Sequence, residues 1–158
     1  MKRYAGVLLP VTSLPSNYGI GCFDQAAYDF VDWLQKAGQR YWQILPLGAT
    51  SYGSSDDSPY QAYSAFAGNP YLISLDALVE EGVLTREECD GVSFGETAAK
   101  VDFDQLHEHR FALLRKAYER SGISANPDYQ NFVRDNGWWL NDYALFMALK
   151  TFFHDQPF

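Results

Sequence analysis

Cysteine is scarce in this sequence, with only Cys22 and Cys89 among 158 residues. They form no CxxC pair and no Cys/His ligand cluster, so reduced thiols, buried or half-buried, are the expected state. Basic residues are also few: 12 Lys and Arg stand against 20 Asp and Glu, for a formal net charge of -8. The basic residues are scattered. Binding to a phosphate backbone or to an anionic membrane surface needs clustered Lys and Arg, so neither nucleic acid nor membrane is an expected partner. Long apolar runs are missing too. The stretch 5–9 is too short for a signal-peptide core, and nothing approaches the ~20 apolar residues of a membrane span. A cytoplasmic protein is the resulting expectation. No internal repeat or low-complexity tract is present.

What is plentiful is aromatic: 11 Tyr, 11 Phe and 4 Trp, in a chain that is 47% hydrophobic and 20% charged. That composition belongs to a globular domain large enough to bury a core. Rings fill cores, but they also offer flat apolar faces on which sugar rings lie. Composition does not separate the two uses. Packing is the expectation for most rings, including Trp33, Trp42 and the pair Trp138-Trp139.

Residues 5–9 form an apolar run closed by Pro10, which predicts a strand buried on both faces. A turn-rich loop follows, and Asp24 then stands where a helix N-cap would. Ala27, Phe30, Val31 and Leu34 share one helical face, and Gly38 sits at the expected helix end. Residues 41–45 read as a second strand closed by Pro46. Strand, helix and strand in about forty residues make a βαβ unit, whose strands must run parallel. The fold class is therefore α/β, either doubly wound or a (β/α)8 barrel. Residues 48–71 then form a long loop with five aromatics, Tyr52, Tyr60, Tyr63, Phe66 and Tyr71. Helices are expected over 74–81, from the capping box Thr85-Arg86-Glu87-Glu88, over 104–120, from Asn126-Pro127 to Gly137, and over 138–151. The last is apolar nearly all round, which predicts burial.

Four ordered strings carry a more specific signal. They are Gly6-Val7-Leu8-Leu9-Pro10-Val11-Thr12-Ser13-Leu14-Pro15, Tyr18-Gly19-Ile20-Gly21, Ala37-Gly38-Gln39-Arg40-Tyr41-Trp42-Gln43-Ile44-Leu45-Pro46-Leu47, and Asp57-Ser58-Pro59-Tyr60-Gln61-Ala62-Tyr63-Ser64-Ala65-Phe66-Ala67-Gly68-Asn69-Pro70. Together with Asp142-Tyr143-Ala144-Leu145-Phe146-Met147-Ala148-Leu149-Lys150 they resemble the 4-α-glucanotransferase family (amylomaltase, or disproportionating enzyme; glycoside hydrolase family 77). The resemblance covers nearly the whole chain and is weakest over about 85–137. One departure stands out: Ser54-Ser55-Asp56 separate Tyr52-Gly53 from Asp57-Ser58, where the family reads Tyr-Gly-Asp-Ser-Pro-Tyr.

The resemblance implies the N-terminal part of a (β/α)8 barrel, with its first two strands and a mostly helical insertion after strand 2. Residues 1–47 would be the first βαβ unit, 48–125 the sugar-facing loop and helical insertion, and 126–158 helices returning to the barrel. Two parallel strands cannot close a barrel, so a piece of a longer protein is expected. The implied activity moves α-1,4-glucan segments between maltooligosaccharides by a retaining double displacement, without metal or organic cofactor. The family's catalytic carboxylates come from later strands, so no catalytic residue is assigned in this chain. The 158 residues alone are expected to be inactive.

The implied substrate-binding residues are Ser58, Pro59 and Tyr60, which line the donor sugar site. Tyr52 is placed in a second glucan-binding patch, with a core role weighted equally. Asp57 is counted with the binding residues, although solvation or loop capping is the expected role of the Asp56-Asp57 pair itself. Glu80-Glu81 and Glu87-Glu88 are expected at the surface. Asp142, in an apolar helix, is expected to make a structural hydrogen bond. His107 and His109, two apart on a helix, make a poor metal pair. The competing reading is a non-catalytic glucan-binding or interaction protein, and a third is an amylase-like hydrolase. A ladder of longer and shorter sugars from maltotriose would distinguish transfer from hydrolysis.

Overall fold

The computed structural model describes residues 2–50, 57–97 and 99–154. Strand β1 (Gly6–Leu8) pairs in parallel with β2 (Tyr41–Gln43), with Gly6 opposite Tyr41, Val7 opposite Trp42 and Leu8 opposite Gln43. Pro10 and Pro46 lack the N–H that would extend the ladder. Between the strands runs α1 (Gln25–Lys36). Its N-cap is Asp24, whose carboxylate accepts from Ala26 N–H at 2.9 Å. The predicted βαβ unit and its parallel sense are therefore present.

Strand β1 is not buried on both faces, as its apolar run had predicted, and β2 is equally open. Leu8 is 55% and Tyr41 61% exposed, and only Val7 and Trp42 at the centre are half-buried. Parallel strands need cover on each face, and the described residues supply only part of it. Trp42 donates its indole N–H to the Leu9 carbonyl at 2.8 Å and meets Phe30 edge-on. Trp33, expected in the core, instead lies more than half exposed, stacked on Phe30.

Residues pack into two compact units that interleave along the chain: Met1–Pro46 with Pro70–Ala117, and Leu47–Asn69 with Tyr118–Phe158. The three consecutive segments expected from the sequence concern membership of a barrel, a separate matter from this compactness. In the first unit, α2 (Leu75–Glu80) and α3 (Arg86–Asp90) precede α4 (Phe103–Gln105). One π-helical turn (Leu106–Arg110) leads from α4 into α5 (Phe111–Ser121). The core gathers Tyr18, Ile20, Tyr71, Leu75, Leu84, Cys89, Leu106 and Leu113. Both cysteines are buried and free. Burial and the Asp24 carboxylate push the Cys22 thiol up to about 12. The polar tip of buried Tyr18 is satisfied: its hydroxyl donates to Asp90 and accepts from Arg86 at 2.7 Å.

The capping box at α3 is complete, with Thr85 Oγ1 accepting from Glu88 N–H and the Glu88 carboxylate accepting from Thr85 N–H at 3.0 Å. Glu88 also takes Lys116 Nζ at 3.0 Å. A five-residue helix has little ladder of its own, so its ends decide whether it forms. Thr85→Ala is expected to lower unfolding free energy by about 1 kcal/mol, read as a drop in the urea midpoint at constant slope.

The second unit contains α6 (Pro127–Phe152), capped by Asn126, which accepts from Asp128 N–H at 2.8 Å. The sequence predicted a break at Gly137, yet one helix runs through it. A glycine inside a helix costs only about 1 kcal/mol against alanine, and Asn136 bridges the weak point. Its side chain donates to the Phe132 carbonyl and accepts from the Trp139 indole N–H. Burial of the second half of α6 was also expected, but Trp138 is 68% exposed, and Leu145 and Phe152 are open as well. The second half of the helix carries apolar residues around most of its circumference, and the described residues cover only part of it. Asp142 is likewise exposed rather than buried.

Candidate functional site

The loop that follows β2 is organised from its backbone outward. Residues 48–50 form a short strip with antiparallel bridges on both sides, Gly48 to Gly68 and Thr50 to Ala62. Asn69 N–H donates to the Leu47 carbonyl at 2.8 Å, and Tyr63 N–H to the Ala49 carbonyl at 3.0 Å. Ser64 Oγ accepts from both Phe66 and Ala67 N–H, turning the chain between the two flanking segments. Such local side-chain bonds replace a ladder where regular structure is absent.

From this strip the Asp57-Ser58-Pro59-Tyr60 segment projects. Thr50 Oγ1 donates to Asp57 Oδ1 at 3.2 Å and accepts from Asn69 Nδ2 at 3.4 Å. One hydroxyl thus ties the start of the segment to its far anchor. Asp57 adopts a φ of 33°, in the left-handed region that aspartate tolerates better than most residues. Gln61 N–H donates to the Ser58 carbonyl at 2.9 Å, closing a four-residue turn with Pro59 at its second position, where a fixed φ is favourable. Tyr60 is third in that turn and 73% exposed. Ser58 and Pro59 are half-buried beside it.

The expected residues therefore separate into three groups. Ser58, Pro59 and Tyr60 come together in one turn, with the tyrosine ring presented to solvent. Asp57 accepts from Thr50 within the loop. Tyr52 and Asp56 lie outside the described residues. Of the other rings in the loop, Tyr71 is buried in the first unit, and Tyr63 packs half-buried against Phe146 at 5.3 Å. Phe66 is exposed, with Trp138 at 4.8 Å.

Three supporting residues escaped the sequence reading. Thr50 and Asn69 are ordinary loop residues whose pairing needs the folded strip, so no sequence signal marks them. Lys150 is different. It is only 7% exposed, and its Nζ lies 5.9 Å from the centre of the Tyr63 ring. Tyr143, Phe146 and Lys150 recur at helical spacing, which was a signal available from the start. Burial raises the Tyr143 hydroxyl above its ordinary pKa, with a smaller contribution from Tyr63.

Among the described residues, no group of three His, Cys, Asp or Glu could hold a metal ion. His107 packs on Phe111 and His109 bonds Gln105. No helix among the described residues is long and apolar enough to cross a membrane.

Residues 9–158 match the family model described as 4-alpha-glucanotransferase, glycoside hydrolase family 77. A 4-alpha-glucanotransferase of Streptococcus pneumoniae is 52% identical over 153 residues, covering 96% of this chain and 30% of that protein. The Thermus thermophilus 4-alpha-glucanotransferase is 45% identical over 95% of this chain and 29% of its own length. Among solved structures, an amylomaltase from Streptococcus agalactiae in complex with acarbose superposes with a TM-score of 0.86 at 41% identity. That match covers 98% of this chain and 31% of the amylomaltase. The chain thus spans about 30% of the length of the curated relatives it matches. On the strength of a match that runs through nearly all of its residues, the chain belongs to the 4-alpha-glucanotransferase family.

Proposed function

We propose that this chain forms the N-terminal part of a (β/α)8-barrel 4-α-glucanotransferase and supplies one wall of its donor-sugar site. The protein would transfer α-1,4-glucan segments between maltooligosaccharides, in starch and maltodextrin metabolism. The observation that carries this reading is Tyr60, held at the tip of the Ser58-to-Gln61 turn with its ring presented to solvent. A bare aromatic on a braced turn suits the apolar face of a glucose ring, while the phenol oxygen can bond at the sugar edge. Ser58 and Pro59 would flank it, Asp57 would hold the segment, and Tyr52 would extend the glucan contact. The acarbose complex of the similar amylomaltase supports an α-glucan-like ligand for this protein.

In the retaining reaction a carboxylate attacks the anomeric carbon, the glycosidic C–O bond breaks, and a carboxylic acid protonates the leaving oxygen. An acceptor sugar hydroxyl then attacks the glycosyl-enzyme, giving its proton to the same acid/base and releasing the carboxylate. In this reading those carboxylates lie on other strands of the barrel, and the residues here bind and orient the donor. Orientation is itself rate-giving, since a misplaced donor loses the near-attack geometry.

Tyr60→Ala in the full-length protein removes the ring without touching the turn's hydrogen bonds. Loss of an aromatic contact worth about 1.5–3 kcal/mol corresponds to roughly a 10- to 150-fold fall in kcat/KM for maltotriose disproportionation. An unchanged kcat/KM in a variant that melts normally would remove Tyr60 from the site.

A further inference from the structure

We propose that Lys150 is a positioning residue for the donor-sugar loop and acts through Tyr63. This rests on the reading of Tyr60 as a sugar contact and adds to it the device that holds the loop in place. A lysine buried to 7% exposure is costly unless its charge is met. Its Nζ lies 5.9 Å from the centroid of the Tyr63 ring, within range of a cation–π attraction. Phe146, one turn earlier on α6, meets the same ring edge-on at 5.3 Å. Helix α6 thus grips Tyr63 with one aromatic and one cation.

Tyr63 is not itself in the turn that displays Tyr60, but it is covalently next to the bridge that anchors that turn. Its N–H donates to the Ala49 carbonyl, and its neighbour Ala62 bridges Thr50. Thr50 in turn donates to Asp57, the residue that opens the Ser58-Pro59-Tyr60 turn. The path from the ammonium to the sugar-facing ring therefore runs through one ring contact, one backbone bridge and one hydroxyl. Each link is short-range, and none needs Lys150 to touch substrate.

Lys150→Met keeps the aliphatic stem and removes the charge. In the full-length protein with maltotriose as donor, KM is expected to rise about three- to tenfold while kcat changes less than about twofold. In a Tyr60→Ala background the same substitution is expected to move KM by less than about twofold, because the ring it positions is gone. If Lys150→Met does not fold, Tyr63→Leu removes the same contact and is read by the same two comparisons. An unchanged KM overturns the proposal, as does an equal rise in both backgrounds, which would make Lys150 a packing residue only. Should Tyr60→Ala itself leave KM and kcat unaltered, the donor-site reading fails and this proposal falls with it. A normal Tyr60 effect with an uncoupled Lys150 overturns the positioning role alone.

Discussion

Arg110→Met is expected to destabilise the fold by about 2–4 kcal/mol, measured as the loss of unfolding free energy in urea. Arg110 has no exposed surface, although it is the largest of the fully buried side chains among the described residues. Its guanidinium donates to two backbone carbonyls far apart in sequence, Tyr18 at 3.3 Å and Ile73 at 2.5 Å. Burial pushes its pKa below the ordinary value, and the neighbouring Cys22 and Asp24 side chains oppose that shift. Two effects then compete on substitution. Methionine recovers the cost of burying a charge, but it leaves the Tyr18 carbonyl, buried, and the Ile73 carbonyl, part-buried, without their donor. Each orphaned carbonyl costs about 1–3 kcal/mol. The lost donors win because methionine is also shorter than arginine and leaves the guanidinium space unfilled. Lysine would not rescue the loss, since a single ammonium cannot span two acceptors that the planar fork reaches together. A change under about 0.5 kcal/mol, the scale of an ordinary surface substitution, would refute this account.

Gly19→Ala is expected to cost about as much for a different reason. Gly19 has a φ of 79°, where a side chain costs roughly 1–2 kcal/mol. An added Cβ there would also lie 2.5 Å from Phe94 Cβ, 2.9 Å from its carbonyl oxygen and 3.3 Å from Leu106 Cδ2. Overpacking of that severity adds about 1–3 kcal/mol, because the nearest atoms are the Phe94 Cβ and backbone oxygen rather than the end of a flexible side chain. Gly38 provides the internal control. Its φ is 70°, but a Cβ would meet nothing within 4 Å. Gly38→Ala should therefore show the backbone cost alone. Equal losses at the two positions in thermal or urea unfolding would contradict the steric part of this reasoning.

Signals that act over a few residues could be read directly. Asp24, Thr85 and Asn126 cap helices as expected, because a cap needs only its own side chain and the next turn of backbone. The parallel sense of β1 and β2 followed from the crossover alone. The Ser58-to-Tyr60 motif could be picked out from its string, although the turn that presents the ring could not. Failures came where distant partners decide the outcome. Helix α6 passes Gly137, which the bond from the Trp139 indole to Asn136 spans, and glycine by itself carries no trace of that. The π turn at Leu106–Arg110 coincides with the two residues that must face inward, buried Leu106 and Arg110. Trp33 and Trp138 looked like core residues by composition, but burial depends on what lies opposite. Thr50 and Asn69 became significant only once the strip between them had formed.

The Arg110 clasp also sets a timetable. Its bond to the Tyr18 carbonyl closes over 92 residues. Ribosomes add ~5–20 residues per second, so the N-terminal loop waits roughly 5–20 s for its partner to be made. Through that interval the first-made segment, with its apolar strand and Tyr18, has no finished core to enter. Such late-closing contacts slow folding and leave a newborn chain dependent on whatever shields it in the meantime.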